Sequence, residues 1–271
     1  MSVSRVDTIP TLPKRIKDSH KGLYGTVLVV AGSRGMAGAA ALCGAASLRS
    51  GAGLARIVCP AEIQPTVASY EPSYMTYPVA NNPDGLIQFE AARAVITRFV
   101  EHSDVLAVGP GLGQSDDVAK LVLWILESLE IPVVLDADGL NALNGFPEAI
   151  RSRKGPLVIT PHPGEFARLT GTSTATVQAN RVALAIELAG SSEHLVVVLK
   201  GAGTIVTDGS RVYQNETGNP GMSTGGVGDV LTGMIAALIG QKLPPFEAAQ
   251  LGTYVTVWPA ISPGTKMAKW V

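Results

Sequence analysis

A glycine-rich loop that leads into an apolar helix could carry phosphate chemistry in this chain. The loop runs from Asn219 to Asp229, and the mainly apolar stretch Val230–Ile239 follows it. Because glycine lacks a Cβ atom, successive N–H groups of such a loop can point at one anion where the helix begins. A carboxylate in that first turn would be repelled by the anion. Its presence there is explained if it has a chemical role, such as accepting a proton from a hydroxyl. Asp229 therefore indicates phosphoryl transfer to an alcohol. The glycines concerned are Gly225, Gly226 and Gly228.

The same loop also has a purely structural interpretation, in which the glycines make a tight turn and Asp229 caps the helix. A Walker A loop does not fit, because no Lys-Ser or Lys-Thr pair follows the glycines. A Rossmann fingerprint does not fit either, because no strand–helix–strand unit follows the loop.

Composition favours a soluble cytoplasmic protein that acts on small molecules. The chain has 271 residues, 46% of them hydrophobic, and we favour one domain spanning residues 1–271 over two small ones. The net charge of −1, without a basic run, gives no electrostatic case for nucleic acid or an anionic membrane. The start of the chain is polar, and no segment is apolar for long enough to span a bilayer. Cys43 and Cys59 lie in apolar stretches and are predicted to be free thiols.

Short β-branched runs alternate with helical patterns, which predicts an α/β fold with a parallel sheet buried on both faces. The predicted strands are Thr26–Ala31, Leu54–Cys59, Val105–Val108, Pro132–Leu135, Leu157–Thr160 and Leu195–Leu199. The predicted helices include an Ala- and Gly-rich, closely packed one and two surface helices: Ala37–Ser50, Asp117–Leu129 and Thr176–Ala189. Polar residues follow the strands, so they should gather at the carboxyl edge of the sheet, where ligands bind.

Several motifs occupy that edge. Gly32–Ala39 and Gly109–Gly113 place bare backbone there. Asp136–Asn141 adds two carboxylates, which suit metal-bound water or polar substrate groups, although Asp138-Gly139 is equally typical of a turn. The position at the end of a strand favours function.

Two further motifs each have two interpretations. Prolines flank His162 and fix its backbone, which favours a ligand contact by stacking or hydrogen bonding, whereas a lone His is usually buried and structural. Lys200–Thr204 places an ammonium group beside glycines, which suits a phosphate contact. The same residues could instead form a hairpin turn before Ile205. Both interpretations of Lys200–Thr204 stay open.

Taken together, the motifs resemble the NAD(P)H-hydrate dehydratase family of ribokinase-like proteins, over a match from about His20 to Val255. The residues that carry the resemblance are Val29–Ser33, Gly109–Gly113, Asp136–Asn141, Thr160–Glu165, Lys200–Gly201 and Gly225–Asp229. Their order, and a His-Pro-Gly-Glu block that sugar kinases usually lack, make the resemblance specific. It implies a ribokinase-like three-layer sandwich with a mostly parallel central sheet, preceded by an extension over residues 1–19.

The resemblance further implies an ADP- or ATP-dependent enzyme that removes water from the S-epimer of hydrated NADH or NADPH. Phosphorylating the ring hydroxyl makes it a better leaving group, which the ring nitrogen can expel. A magnesium ion with unidentified ligands, a homotetramer and a partner epimerase are also implied.

Residue roles carry over by matching motif. Asp229 would be the base on the substrate hydroxyl, and the loop backbone would stabilise charge on the transferring phosphate. The residues contacting the hydrated dinucleotide would be Ala39, Gly111, His162 and Asp229. The nucleotide-binding residues would be Lys200, Gly201, Ala202, Gly203, Thr204, Gly225, Gly226 and Gly228.

Two other functions fit the same residues. One is a kinase of this fold that acts on a vitamin precursor or a sugar alcohol and releases a stable phosphate ester. The other is a catalytically silent nucleotide-binding protein. Sequence alone does not distinguish ADP from ATP as the phosphoryl donor, because backbone contacts to phosphates leave little side-chain signature.

The ending of the chain departs from the family pattern, which usually continues after Val255 with His-Gly-x-Ala-Gly-Asp. Codons for Thr256 to Ile261, read one base earlier, can spell His-Gly-Leu-Ala-Gly-Asp. We therefore predict that one base was lost from the gene or from its recorded sequence, so that residues 256–271 are out of frame. Sequencing the encoding DNA tests this hypothesis. A missing closing segment would expose apolar surface near the Asp229 helix.

Overall fold

Hydrogen bonding between strands joins the two halves of the chain in one sheet. The computed structural model describes residues 3–218 and 220–256. The strands in this part are β1 (Ser4–Arg5), β2 (Thr26–Val30), β3 (Leu54–Pro60), β4 (Met75–Val79), β5 (Val105–Val108), β6 (Val133–Leu135), β7 (Leu157–Ile159), β8 (Leu195–Leu199), β9 (Thr204–Thr207) and β10 (Arg211–Asn215). Across the described sheet they are ordered β1-β10-β9-β8-β7-β6-β5-β2-β3-β4. Strand β9 runs antiparallel to β8 and β10, and the other pairs are parallel.

Helices cover both faces of this sheet. They are α1 (Ala37–Arg49), α2 (Gln64–Tyr70), α3 (Phe89–Val100), α4 (Asp116–Ser128), α5 (Asp138–Asn141), α6 (Glu148–Arg151), α7 (Pro163–Thr170), α8 (Thr174–Ala179), α9 (Arg181–Ala189), α10 (Val227–Gly240) and α11 (Pro245–Thr256). Alternate side chains of β2 enter different cores, because successive residues of a strand point to opposite faces. Val27 and Val29 pack with α1, α10 and α11, whereas Leu28 and Val30 pack with α3, α4 and α9. The predicted three-layer α/β sandwich with a mostly parallel sheet is confirmed.

The predicted strands all form, each within one residue of its predicted end. Strands β1, β4, β9 and β10 were not among the predicted strands. Strands β1, β4 and β10 are short or lie toward the edges of the sheet with few fully buried residues. Strand β9 begins at Thr204, in the segment for which a hairpin turn was one of two interpretations. The prediction of one helix over Thr176–Ala189 is wrong: the chain breaks at Asn180, whose φ and ψ of −133° and 33° are not helical. The break separates α8 from α9.

Helices α1 and α10 pack closely against each other. A methyl group at Gly233 would lie 2.1 Å from the carbonyl oxygen of Cys43, so the two backbones nearly touch. The hydroxyl of Ser47 donates to the carbonyl oxygens of Cys43 and Gly233, at 2.9 and 3.1 Å. The close packing predicted for the Ala-rich helix is therefore confirmed. Cys43 and Cys59 are buried free thiols, also as predicted.

The departure at the end of the chain falls largely beyond Thr256, outside the described residues, so the frame shift stays a prediction. Within the described ranges, each helix is too short or insufficiently apolar to cross a membrane.

Candidate active site

A pocket of about 830 Å³ lies where the β8–β9 turn, the loop before α10 and the end of α11 meet. Its volume falls within the usual range for small-molecule sites. The predicted site residues that line it are His162, Lys200, Gly201, Ala202, Gly203, Thr204, Gly225 and Gly228. Gly226 lies directly before α10, as its N-cap residue. Most of the predicted nucleotide contacts therefore surround one cavity.

The start of α10 offers backbone donors to this cavity. Gly226 has φ of +89°, and no side chain caps the helix. Among the described residues, the N–H groups of Val227, Gly228 and Asp229 have no protein acceptor. The interpretation in which Asp229 caps α10 is therefore wrong. Free N–H groups and the helix dipole make this end of α10 suited to an anion.

Asp229 is partly buried, and its side-chain carboxylate makes no hydrogen bond or ion pair with a described residue. Burial, the negative charge of Asp136 and that of Asp138 raise its pKa to about 6, while Lys200 acts in the opposite direction. At neutral pH this carboxylate is mainly ionised, yet it is a stronger base than an ordinary aspartate. These are the properties required of a general base.

Asp136 forms a buried hydrogen-bonded centre at the end of β6. It is 1% exposed, and its two oxygens accept from Lys200 Nζ at 2.7 Å and from Thr232 Oγ1 at 2.8 Å. Burial opposes its ionisation, but Lys200 and the hydroxyls of Thr160 and Thr232 hold its pKa below the usual value. Burial likewise opposes the charge on Lys200, yet Asp136 and Glu165 raise the pKa of the ammonium. The pair is therefore ionised.

Both interpretations of Lys200–Thr204 have support, because residues 200–203 join antiparallel β8 and β9 and also line the pocket. The ammonium of Lys200 is paired with Asp136, which uses one of its three N–H donors, so its contact with a phosphate stays a prediction. Arg181 was not identified from sequence: its guanidinium donates to the carbonyl oxygens of Leu199 at 3.0 Å and Gly203 at 3.3 Å. These hydrogen bonds stabilise the β8–β9 turn.

His162 is the N-cap residue of α7. Its Nδ1 accepts from the N–H groups of Gly164 and Glu165, at 3.0 and 3.3 Å, and its own N–H donates to Glu165 Oε2 at 2.7 Å. The side chain is 50% exposed and borders the pocket, so a buried structural role is wrong for this residue. Because Nδ1 is an acceptor, Nε2 carries a proton, and Nε2 lies 3.5 Å from Glu165 Oε1.

Ala39 and Gly111 adjoin each other but do not line this pocket. A methyl group at Gly111, where φ is +61°, would lie 2.9 Å from the Cβ atom of Ala39. Both residues are buried, and the N–H of nearby Gly113 donates to Asp138 Oδ2 at 2.9 Å. The charges of Asp138 and Lys200 both act on Asp229. The charge of Asp229 is therefore influenced both by Asp138, near the predicted substrate contacts, and by Lys200, among the predicted nucleotide contacts.

Sequence reasoning also missed two residues around Asp136. Thr232 is three positions after Asp229 on α10, a spacing that puts both on one helix face and could have indicated its role. Ala137 adopts φ of 50° and ψ of −118°, a strained conformation for a residue with a Cβ atom. No sequence pattern predicts that strain. On either side of Ala137, the side chain of Asp136 accepts from Lys200 and that of Asp138 accepts from the N–H of Gly113.

The sequence model of the NAD(P)H-hydrate dehydratase family matches residues 27–261. The chain belongs to this family. A curated relative from Moorella thermoacetica, a bifunctional NAD(P)H-hydrate repair enzyme, is 45% identical over 90% of this chain and 46% of its own. The chain thus spans about half the length of the bifunctional relatives it matches. An ADP-dependent (S)-NAD(P)H-hydrate dehydratase from Neisseria meningitidis is 38% identical over 89% of this chain and 78% of its own.

Two solved structures are similar to this chain in fold. An ADP/ATP-dependent NAD(P)H-hydrate dehydratase from Bacillus subtilis, co-crystallised with ATP and Mg²⁺, is 36% identical with a TM-score of 0.76, over 92% of this chain and 84% of that one. A ribokinase-like superfamily protein from Enterococcus faecalis is 26% identical with a TM-score of 0.78, over 92% and 82% of the two chains. The fold of this chain is ribokinase-like.

Proposed function

We propose that this chain catalyses the ADP- or ATP-dependent dehydration of the S-epimer of hydrated NADH or NADPH. One observation carries the proposal: Val227 and Gly228 of the uncapped start of α10 line the 830 Å³ pocket, and the next residue, Asp229, carries an unpaired carboxylate of raised pKa, although it is not itself a lining residue. Membership of the dehydratase family and the name of the Neisseria relative support the choice of substrate.

The site supplies the groups that the first step requires. The hydroxyl oxygen of the hydrated ring attacks the terminal phosphorus of the nucleotide, and its proton passes to Asp229. The bond to the bridging oxygen breaks, and AMP leaves from ADP or ADP from ATP. Free N–H groups at the start of α10 stabilise the negative charge on the transferring phosphoryl group.

The second step removes the phosphate. The lone pair of the ring nitrogen forms a carbon–nitrogen double bond as the carbon–oxygen bond breaks, releasing inorganic phosphate. Loss of a proton from the adjacent ring carbon restores the reduced nicotinamide. A pocket that excludes water favours this outcome over return of hydroxide to the ring.

Magnesium is part of the proposal as a partner of the nucleotide phosphates. Among the described residues, no cluster of three or more His, Cys, Asp or Glu side chains could hold a metal ion. Mg²⁺ commonly binds through substrate phosphates and water with few protein ligands, and the uncapped N–H groups at the start of α10 can receive the phosphates that carry it. The residues present therefore fit an ion that arrives with the nucleotide and neutralises phosphate charge.

The test is to give the purified, folded chain hydrated NADH, Mg²⁺ and either ADP or ATP, and to follow the near-ultraviolet absorbance of the reduced nicotinamide. We expect nucleotide-dependent recovery of this absorbance together with release of inorganic phosphate. Using ADP and ATP in parallel identifies the donor.

Other outcomes would identify the alternatives. Nucleotide consumption with a lasting phosphorylated product would overturn the dehydratase in favour of a small-molecule kinase. Nucleotide binding without turnover of either kind would favour a silent binding protein. We further propose cytoplasmic action as a homotetramer beside an NAD(P)H-hydrate epimerase. The bifunctional relatives support a functional link between repair activities, and measuring the mass in solution tests the assembly.

A further inference from the structure

One buried ion pair links the elements that carry the predicted nucleotide and substrate contacts. Asp136 Oδ1 accepts from Lys200 in the β8–β9 turn, and Asp136 Oδ2 accepts from Thr232 on α10. Lys200 Nζ also lies 3.9 Å from Glu165 Oε2, the oxygen that accepts the N–H of His162. The pair therefore connects β6, the turn, α7 and α10.

Gly228 shows how closely α10 approaches this pair. A methyl group there would lie 3.3 Å from Lys200 Nζ and 3.5 Å from Asp136 Oδ2. Asp229 follows directly, so the ion pair lies immediately beneath the first turn of the helix. The charges of Asp136 and Lys200 act on Asp229 in opposite directions, so a change in either charge will also change the pKa of Asp229.

We propose that Asp136 is a positioning residue for phosphoryl transfer: it clamps Lys200 and Thr232 on its two oxygens, and it keeps Lys200 from neutralising Asp229. In its absence Lys200 keeps Glu165, 3.9 Å away, but its positive charge acts on Asp229 without the opposing charge of Asp136. Asp229 would then become a weaker base. This inference rests on the proposed function for its kinetic consequence but not for its electrostatic one.

Charged and titratable groups from every neighbouring element bear on Asp229. They are Asp136 after β6, Asp138 on α5, Lys200 after β8 and Cys43 on α1, whose buried thiol has a pKa far above its usual value. Burial keeps Cys43 neutral, and Asp138 holds the N–H of Gly113. Asp136 and Lys200 are thus the pair whose removal changes the balance at Asp229 most directly.

A double-mutant cycle on folding tests the electrostatic part without any substrate. The variants Asp229→Asn, Asp136→Asn and the double variant are compared with the wild type by Tm at pH 7.5. We expect Asp229→Asn to raise Tm in the wild-type background but not in the Asp136→Asn background, where Lys200 stabilises the charged Asp229. An equal gain in both backgrounds would overturn the inference.

The kinetic part is tested by the pH profile of kcat/KM for dehydration. We expect Asp136→Asn to lower kcat at least about tenfold and to move the acid limb to lower pH. Lys200→Gln should move that limb to higher pH, which keeps the test open if Asp136→Asn does not fold. Thr232→Val is the matched control. It removes a hydrogen bond but keeps the charge of Asp136, so the acid limb should stay at the same pH.

The two parts separate the possible failures. A reduced rate with an unmoved acid limb in both charge variants would show that the ion pair serves folding alone and would overturn the positioning role. Absence of dehydration by the wild type, together with the expected Tm cycle, would instead count against the proposed function and leave the electrostatic coupling intact.

Discussion

At the scale of single residues, Asp229 combines features that favour catalysis over stability. It is partly buried, it lacks a hydrogen-bond partner among the described residues, and it lies close to the negative charge of Asp136. A carboxylate in such surroundings destabilises the fold when it ionises. These properties suit the proton transfer that we propose for Asp229.

Asp229→Asn should therefore abolish dehydration while leaving nucleotide affinity unchanged or increased. The amide cannot accept the hydroxyl proton, which reduces the rate by about 100-fold or more. It also removes a negative charge that repels phosphate. Initial rates and a calorimetric binding titration on the same preparation measure the two effects. A near-normal rate would contradict the assignment of Asp229 as the base.

The raised pKa of Asp229 also predicts a pH dependence of the rate. A base must be deprotonated, so kcat/KM should fall as pH decreases below about 6, the pKa of this group. The measurement is kcat/KM between pH 5 and 8, with nucleotide affinity measured over the same range as the control. A profile that stays flat down to pH 5 would count against this role.

The same raised pKa predicts that Asp229→Asn stabilises the protein at neutral pH. Because the folded pKa of about 6 lies above the unfolded value near 3.8, the charged carboxylate destabilises the fold above pH 6. The shift corresponds to at most about 3 kcal/mol in the free energy of unfolding. The gain should shrink as pH falls from 6 toward 4. Urea unfolding at pH 7.5 and 4.5 measures it; an equal gain at both would contradict this origin.

At the scale of elements, the site depends on how α10 begins. The left-handed Gly226 turns the loop into the helix, and Leu42 of α1 packs where its side chain would lie. Close packing of α1 against α10 at Gly233 then holds the two helices together farther along α10. The backbone donors face the pocket because these two glycines permit both the turn and the close approach of the helices.

Gly226→Ala should destabilise the protein and weaken nucleotide binding. A Cβ atom costs roughly 1–2 kcal/mol in the left-handed conformation, and here it would also lie 2.7 Å from Leu42 Cδ1. Gly225→Ala is the matched control for stability, because a Cβ atom there meets no atom within 4 Å. Thermal unfolding and nucleotide titration of both variants check the prediction. Equal stability of the two variants would show that the start of α10 tolerates strain.

At the scale of the whole molecule, the parallel order of β5, β6, β7 and β8 brings distant segments to one edge. The residues that follow these strands are Gly109, Asp136, Thr160 and Lys200, and α10, which comes later in the chain, packs against β5 and β6. The pocket is assembled from parts that are far apart in sequence. A ligand in it therefore contacts, and links, several elements at once.

Nucleotide binding should accordingly stabilise the whole fold. At a free ADP or ATP concentration 100 times its Kd, the free energy of unfolding should rise by about 2.7 kcal/mol if only the folded state binds. Thermal unfolding across a nucleotide titration measures this, with Asp229→Asn expected to retain the effect. No change in Tm at saturating nucleotide would contradict binding in this pocket.

The sequence alone was sufficient for the fold class, for the buried strands and for the glycine loop before α10. These features depend on local patterns, namely β-branched runs, helical spacing and glycines at the ends of elements. Its one failed helix, Thr176–Ala189, breaks at Asn180, where Arg181 turns its guanidinium toward the β8–β9 turn. Tertiary hydrogen bonds there outweigh helical periodicity.

Only the tertiary structure could decide what each polar residue does. Lys200, which the sequence allows as a phosphate ligand, is paired with Asp136, a residue 64 positions away. His162 caps α7, and Asp229 is left without a hydrogen bond among the described residues. Local sequence sets the conformation of the backbone, but charge pairing and burial depend on which distant segments the sheet brings together. For that reason the motif is enough to indicate Asp229 as a candidate base, whereas its raised pKa and its unpaired carboxylate follow from the fold.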